Sequence, residues 1–350
     1  MIDFRLQRYA FAALASAALF GVSTPLAKLL LGEVSPVVLA ALLYLGSGLG
    51  LGLVLLVRRA AKPVEAALSR RDLPWLAGAV VAGGVAAPVV LLWGLRRTLA
   101  SDAALLLNFE TVLTALLAAV IFREAVGRRV WTAAAVMFAA GVLLAYDPAA
   151  RLAISPHAAA IVLACALWAL DNNLTRKISG ADPMQIAAIK GLVAGTVNLA
   201  LGLGTGAALP AAATIAAGTA LGFASYGVSL VLFIHALRHL GAARTGAHFG
   251  TAPFIGAAVA VPLLGEPVTG ALLLATALMA IATWLVLTER HEHEHAHERI
   301  VHTHRHAHDV HHRHVHAGDE GPEPHTHEHV HEPMRHSHPH LPDLHHRHEH

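Results

Sequence analysis

Ten apolar stretches fill the chain between residues 9 and 288, and each is about as long as the hydrocarbon core of a bilayer demands. They run Tyr9–Leu31, Pro36–Val57, Leu73–Leu95, Asp102–Phe122, Val130–Tyr146, Pro156–Leu174, Met184–Gly204, Ala211–Leu237, Thr245–Leu264 and Val268–Thr288. A backbone in lipid has to satisfy its own polar groups, so such runs predict transmembrane helices. Composition agrees: 55% of the 350 residues are hydrophobic and 14% charged. This is the profile of many membrane spans, not of a soluble globular core. Arg5 and Arg8 before an apolar run imitate a signal peptide. The run continues to Leu31, however, with Pro25 and Lys28 where a small-residue cleavage site would be needed, so a retained first span is expected. The single cysteine, Cys165, excludes a disulfide within the chain.

The connections are short and carry breakers: Glu33-Val34-Ser35-Pro36, Asp147-Pro148, Ala181-Asp182-Pro183 and Glu266-Pro267. One stretch occurs twice. Leu99–Glu124 (LASDAALLLNFETVLTALLAAVIFRE) returns 142 residues later as Gly241–Glu266 (GAARTGAHFGTAPFIGAAVAVPLLGE), each a small-residue approach, an apolar run and a closing acid. Ser16–Lys28 likewise resembles Ala164–Lys177, with Phe20 and Trp168 at like positions. The repeat divides the membrane portion into residues 1–148 and 149–288, followed by a tail over 289–350. Five spans per half is an odd number, so the second half is expected to enter the membrane inverted, a plan that recurs in secondary transporters. Gly46, Gly48, Gly50 and Gly52, and Gly191 with Gly195, are read as sites of close helix packing.

With the N-terminus inside, the inner segments hold Arg5, Arg8, Arg58, Arg59, Lys62, Arg70, Arg71, Arg123, Arg128, Arg129, Arg176, Lys177, Arg238 and Arg244. The outer ones hold Arg96, Arg97 and Arg151, with Lys28 near an outer end. The positive-inside rule therefore puts both termini in the cytoplasm of a cell inner membrane, with Arg96-Arg97 against the trend.

The ten-span plan and both copies of the central stretch resemble the EamA-like drug/metabolite transporter family. The resemblance rests on Ala103–Glu124 with Trp93-Gly94-Leu95-Arg96-Arg97 before it, on Ala242–Glu266 with Ala236-Leu237 before it, and on Trp168, Asn172 and Arg176-Lys177 at the opening of the second half. It spans about residues 10–288. The family's proline in the fourth span is absent: Thr111 stands where Pro253 stands in the ninth, preceded by Glu110. The resemblance implies an all-α membrane fold of two inverted five-helix repeats around a midplane cavity lined by spans 1, 3, 4, 6, 8 and 9. It also implies export of a small organic metabolite or drug-like solute by alternating access, with Trp168 on the cavity wall.

Glu110, with Asn108 two residues before it, is the first candidate for substrate contact or proton coupling. A carboxylate at bilayer depth costs roughly 2.5–3.5 kcal/mol on insertion scales and is retained when it pairs, protonates or faces a cavity. His248, which the offset aligns with Leu106, is a second candidate, since imidazole titrates near neutrality. Asp171, three residues after Trp168, is a third, although its stronger reading is a polar helix end paired with Arg176-Lys177. Asp102 reads as a cap of the fourth span, and Lys190 as a side chain that snorkels to the inner surface. His235 and His239, four apart, lack a third ligand nearby.

Residues 289–350 hold 23 of the 27 histidines, mostly alternating with other residues. Few are apolar, so the tail should be disordered and bury no core. His291, His293, His295, His297, His302, His304, His306 and His308 are candidate ligands for Zn, Ni, Co or Cu. Hence the alternative reading, a divalent-metal transporter with the tail as cytoplasmic collector or sensor. No cofactor is required in either case. No nucleophile–base set, nucleotide-binding glycine loop or Walker-type motif occurs, so neither an enzyme nor a nucleic-acid partner is expected. The expected partners are membrane lipid, a small-molecule substrate and metal ions at the tail, and a homodimer is compatible with the sequence.

Overall fold

The computed structural model describes residues 4–58, 68–122, 127–146, 154–178, 181–240 and 242–288, together with 294–297, 300–306, 325–331 and 334–337 in the tail. Among them, nine helices are long and apolar enough to cross a membrane: Gln7–Leu30, Pro36–Arg58, Arg70–Leu95, Ala100–Val120, Arg128–Ala145, Pro156–Arg176, Pro183–Gly204, Ala212–Ala236 and Gly270–Leu287. These correspond to spans 1–8 and 10 of the sequence reading. The ninth span differs from expectation. It consists of two short helices, Ala242–Phe249 and Ala252–Leu264, interrupted at Gly250-Thr251.

That interruption has a local cause. Pro253 lies in the first turn of the second segment, where its missing N–H costs no helical bond. Thr251 Oγ1 donates to the His248 carbonyl at 2.6 Å. The fourth span is interrupted as well, at Leu107-Asn108, between helices Ala100–Leu106 and Phe109–Phe122. Here Asn108 Nδ2 donates to the Leu105 carbonyl at 2.8 Å. Asn108 and Gly250 are 142 residues apart, the offset of the repeat, so the two copies break at the same point. The third and eighth spans share a second irregularity at this offset. Each contains a π-helical segment, Val80–Ala86 and Phe223–Val228.

Helix ends follow ordinary capping chemistry. Ser155 accepts from Ala158 N, Asp182 from Met184 N, and Thr269 from Leu272 N. The fourth span is the exception. Asp102 sits in its first turn, yet the free amides are met from the other repeat: Glu266 Oε1 accepts from Ala100 N at 2.6 Å and Oε2 from Ser101 N at 2.8 Å. Gly265, left-handed at φ 64°, ends the ninth span and turns the chain to present Glu266. Glu124, its counterpart by sequence, lies outside the described residues. On the same side, Lys28 Nζ donates to the carbonyls of Leu95 and Thr98, and Thr214 Oγ1 to Glu33.

The second span packs on the seventh, the fifth on the tenth, the fourth on the ninth, the third on the sixth and the first on the eighth. The fourth also meets the sixth, and the first the ninth. Shifting every span by five, with the tenth followed by the first, maps this set of neighbours onto itself. Glycine makes the closest approaches possible. A Cβ on Gly191 would lie 2.7 Å from the backbone of Gly48, and one on Gly195 would lie 2.7 Å from Leu45 N. Gly52, at the end of the same stripe, has nothing within 4 Å. Large apolar side chains such as Leu53, Val120, Phe138 and Leu273 are exposed on the outside, as in a protein whose solvent is lipid. Exposed Trp75, Trp93, Trp131 and Trp284 lie near span ends, the depth at which indole rings anchor membrane proteins.

In the tail, Glu294–His297 pairs with Met334–Ser337 and Ile300–His306 with His325–His331, as two antiparallel ribbons. The sequence reading contained no strands there. The His-x-His alternation of most of these segments has the period of a strand.

The glycine contacts predict a paired outcome. Gly191→Leu should drive the second and seventh spans apart and sharply lower the yield of folded protein in membranes. Gly52→Leu should leave it near wild type. Fluorescence-detected size-exclusion profiles of the two variants measure the difference.

Candidate functional site

The site starts from a backbone irregularity. A π turn disturbs the regular hydrogen-bond ladder of a helix and leaves carbonyls in need of other donors. In the third span these are Gly83 and Gly84. The Gly83 carbonyl accepts from Tyr44 OH at 2.6 Å and from Trp168 Nε1 at 2.9 Å. The Gly84 carbonyl accepts from Asn198 Nδ2 at 3.2 Å. Side chains of the second, sixth and seventh spans are thereby fixed against the third. Gly83 must lack a side chain, since a Cβ there would lie 2.6 Å from the Cβ of Asp171.

In front of this wall lies a cavity of about 570 Å³. Its lining comes from the first, second, fourth, sixth, seventh, eighth and ninth spans. The expected set of 1, 3, 4, 6, 8 and 9 is thus corrected. Close glycine packing brings the second and seventh spans up to the cavity, while Gly83 of the third stands behind the rings of Tyr44 and Trp168. Trp168, Asp171, Asn172 and Thr175 recur at helical spacing and share one face of the sixth span. Glu110 and Thr114 are one turn apart on the fourth.

Three of the five expected substrate-contact residues line the cavity: Glu110, Trp168 and Asp171. Glu110 is half-buried, and its Oε1 accepts from Asn172 Nδ2 at 2.8 Å. The same amide nitrogen lies 3.4 Å from Thr114 Oγ1. Asp171 is buried, forms an ion pair with Lys190, and accepts from Thr175 Oγ1 at 3.1 Å. Lys190 therefore does not snorkel to the surface as the sequence suggested. The buried carboxylate on the neighbouring helix draws it inward, because an unpaired buried charge is far more costly than a paired one.

Asn108 and His248 do not line the cavity. Asn108 is turned toward the tenth span, where its Oδ1 accepts from Thr283 Oγ1 at 3.2 Å, so its role is to stabilise the helix interruption. His248 sits just before the matching interruption of the ninth span, and the adjacent Phe249 faces the cavity instead. Of the tail ligands, His291, His293 and His308 lie outside the described residues. His295, His297, His302, His304 and His306 are described by backbone pairing alone.

Sequence reasoning missed Lys190 as a cavity residue, Asn172 as the partner of Glu110, and most of the aromatic lining. Helical spacing from Trp168 could have found Asn172. Phe20, Tyr44, Tyr226, Phe233 and Phe249 come from four spans far apart in the chain, and only Tyr226 and Phe233, seven residues apart on the eighth, are linked by a local spacing.

The aromatic rings form one continuous series. Tyr44 meets Tyr226 at 5.7 Å between centroids, Tyr226 meets Phe20 at 5.8 Å, Phe20 meets Phe249 at 5.5 Å, and Phe249 meets Phe233 at 5.0 Å. Beside the cavity, where the first and eighth spans pack together, Ser16 Oγ donates to the Ser229 carbonyl at 2.7 Å, and Ser229 Oγ to the Ser16 carbonyl at 2.9 Å. The arrangement is a large apolar chamber with a few fixed polar groups, the usual form of a small-molecule site.

Comparison with known proteins agrees with this architecture. A solved crystal structure superposes with a TM-score of 0.56 at 18% identity, covering 80% of this chain and 96% of that one, which shows a shared fold. An uncharacterized transporter of Methanothermobacter thermautotrophicus (strain Delta H) is 30% identical over 264 residues, covering 71% of this chain and 77% of the relative. The EamA-like transporter family matches residues 7–146 and 156–288. With its multiple apolar helices and these two matches, the chain is a multi-pass membrane protein and belongs to the EamA-like transporter family.

Proposed function

We propose that this protein is a secondary transporter of the cell inner membrane that exports a small organic solute by alternating access, with Glu110 as the principal polar contact. The observation that carries the reading is the position of Glu110: half-buried at mid-span, in a cavity large enough for a metabolite, with a neutral amide as its hydrogen-bond partner. A carboxylate is costly at that depth, and one that faces a chamber is best accounted for by a ligand or proton that it receives in turn. The matched interruptions of the fourth and ninth spans support rocking of two repeats about the site, since broken helices at midplane are a common transporter device. The links of Glu266 to Ala100 and Ser101, and of Lys28 to Leu95 and Thr98, support a conformation closed at the outer face. The distribution of Arg and Lys supports cytoplasmic termini. Transport is favoured over catalysis because the cavity groups form no nucleophile–base pair.

An organic solute is favoured over a divalent metal. Lys190 neutralises Asp171, and six aromatic residues stand on the remaining wall. A dehydrated dication calls instead for several oxygen or imidazole ligands. The tail histidines are proposed as an accessory that collects metal ions at the cytoplasmic face.

Cells that overproduce the wild-type protein should release one or a few organic metabolites in excess, measured by mass spectrometry of the medium. Glu110→Gln should abolish that excess while the protein persists in membranes at wild-type amounts. Removal of residues 289–350 should leave it intact. Release by Glu110→Gln at the wild-type level would overturn the reading.

A further inference from the structure

The charges of the cavity do not balance. Its lining holds two carboxylates, Glu110 and Asp171, and one cation, Lys190. Lys190 is committed to Asp171 in an ion pair. Glu110 is met by Asn172, a donor without charge. A solute that neutralises the ionised chamber must therefore bring one positive charge. The rest of the wall suits such a guest. The series of rings from Tyr44 through Tyr226, Phe20 and Phe249 to Phe233 lines the same chamber as Glu110. Aromatic faces carry negative quadrupole density and attract organic cations, most strongly where water is excluded.

We infer that the cavity selects a monovalent organic cation with an apolar or aromatic body, its ammonium held by Glu110 and its body laid against the Phe20–Tyr226 rings. The inference rests on the proposal that this cavity carries the solute. Other classes fit less well. A neutral solute leaves an ionised Glu110 without a counter-charge, and an anion adds a like charge beside it. A zwitterionic amino acid needs a cation for its own carboxylate, and Lys190 is already held by Asp171. A divalent metal would find the rings in place of ligands. The volume of about 570 Å³ exceeds the needs of a bare ammonium ion and falls in the range of drug-sized guests.

A probe series on one skeleton separates these classes. Radiolabelled 2-phenylethylamine, a cation at neutral pH, is equilibrated with the purified full-length protein in lipid nanodiscs. It is then challenged with 2-phenylethanol (neutral), 3-phenylpropionate (anion) and phenylalanine (zwitterion). The cation should bind saturably, and the other three should compete at least about tenfold more weakly, a gap of roughly 1.4 kcal/mol. Glu110→Gln should abolish binding of the cation. Phe20→Leu, which keeps the apolar contact and removes the ring, should weaken the cation several-fold and leave 2-phenylethanol unchanged. Equal competition by the neutral or zwitterionic probe, equal binding by wild type and Glu110→Gln, or no saturable binding would each overturn the inference. The transport reading is judged separately. If Glu110-dependent release of a neutral or anionic metabolite is found in whole cells, that reading stands and cation selection fails.

Discussion

A carbonyl released from its helical ladder inside a membrane has no water to turn to, and the site is assembled around one such group. The Gly83 carbonyl lies in the π-helical segment of the third span and is held by both Tyr44 and Trp168. Those two bonds place one aromatic ring from the second span and one from the sixth on the cavity wall. The absence of a Cβ at Gly83 leaves room for Asp171, which in turn recruits Lys190 from the seventh span. One local irregularity thus sets the positions of four lining residues. The same economy explains why two glycine-lined spans, expected to serve packing alone, border the chamber. Only helices that approach this closely can bring Lys190 within reach of Asp171.

The internal repeat governs where the irregularities fall. Both central stretches break at the same offset, and both preceding spans carry a π-helical segment. The sequences at the two breaks differ: Asn108 with Glu110 and Thr111 in one, Gly250 with Thr251 and Pro253 in the other. In both a side chain donates to the carbonyl three residues earlier, Asn108 Nδ2 to Leu105 and Thr251 Oγ1 to His248, and the second copy adds Pro253 in the first turn of the helix that follows. The fold therefore keeps the break while the chemistry diverges, and Glu110 stands where the second copy has Ala252. A carboxylate on one side of a doubled site makes the chamber electrostatically asymmetric.

Much of this architecture was legible in the chain, because hydropathy and length report directly on the bilayer as solvent. Among the described residues nine long helices match expected spans, and Glu110 and Asp171, which line the chamber, stood out as carboxylates in or near apolar runs, while Trp168 was reached through the family resemblance. What was not legible depends on contacts across the fold. Asn108 has the same sequence context as Glu110, yet a turn of about two residues on a helix sends it to the opposite side, toward Thr283. Lys190 lies close enough to a span end to reach the surface, and the choice between surface and cavity is made by Asp171, nineteen residues earlier in the chain. Glu266 looked like the acid that closes a repeat. Its engagement with the first amides of the fourth span required knowing that the fourth and ninth spans are neighbours.

The central claim is that solute passes through the chamber beside Glu110. The most direct measurement is chemical blockade of a single engineered thiol. Thr114→Cys, beside Asn172, is treated with a small charged methanethiosulfonate reagent in transporting cells or vesicles, with exposed Val120→Cys on the same helix as the comparison. The account predicts that Thr114→Cys is modified, that modification stops transport, and that transported solute slows the reaction, with no such block at Val120→Cys. Modified Thr114→Cys protein that transports at the untreated rate would contradict it.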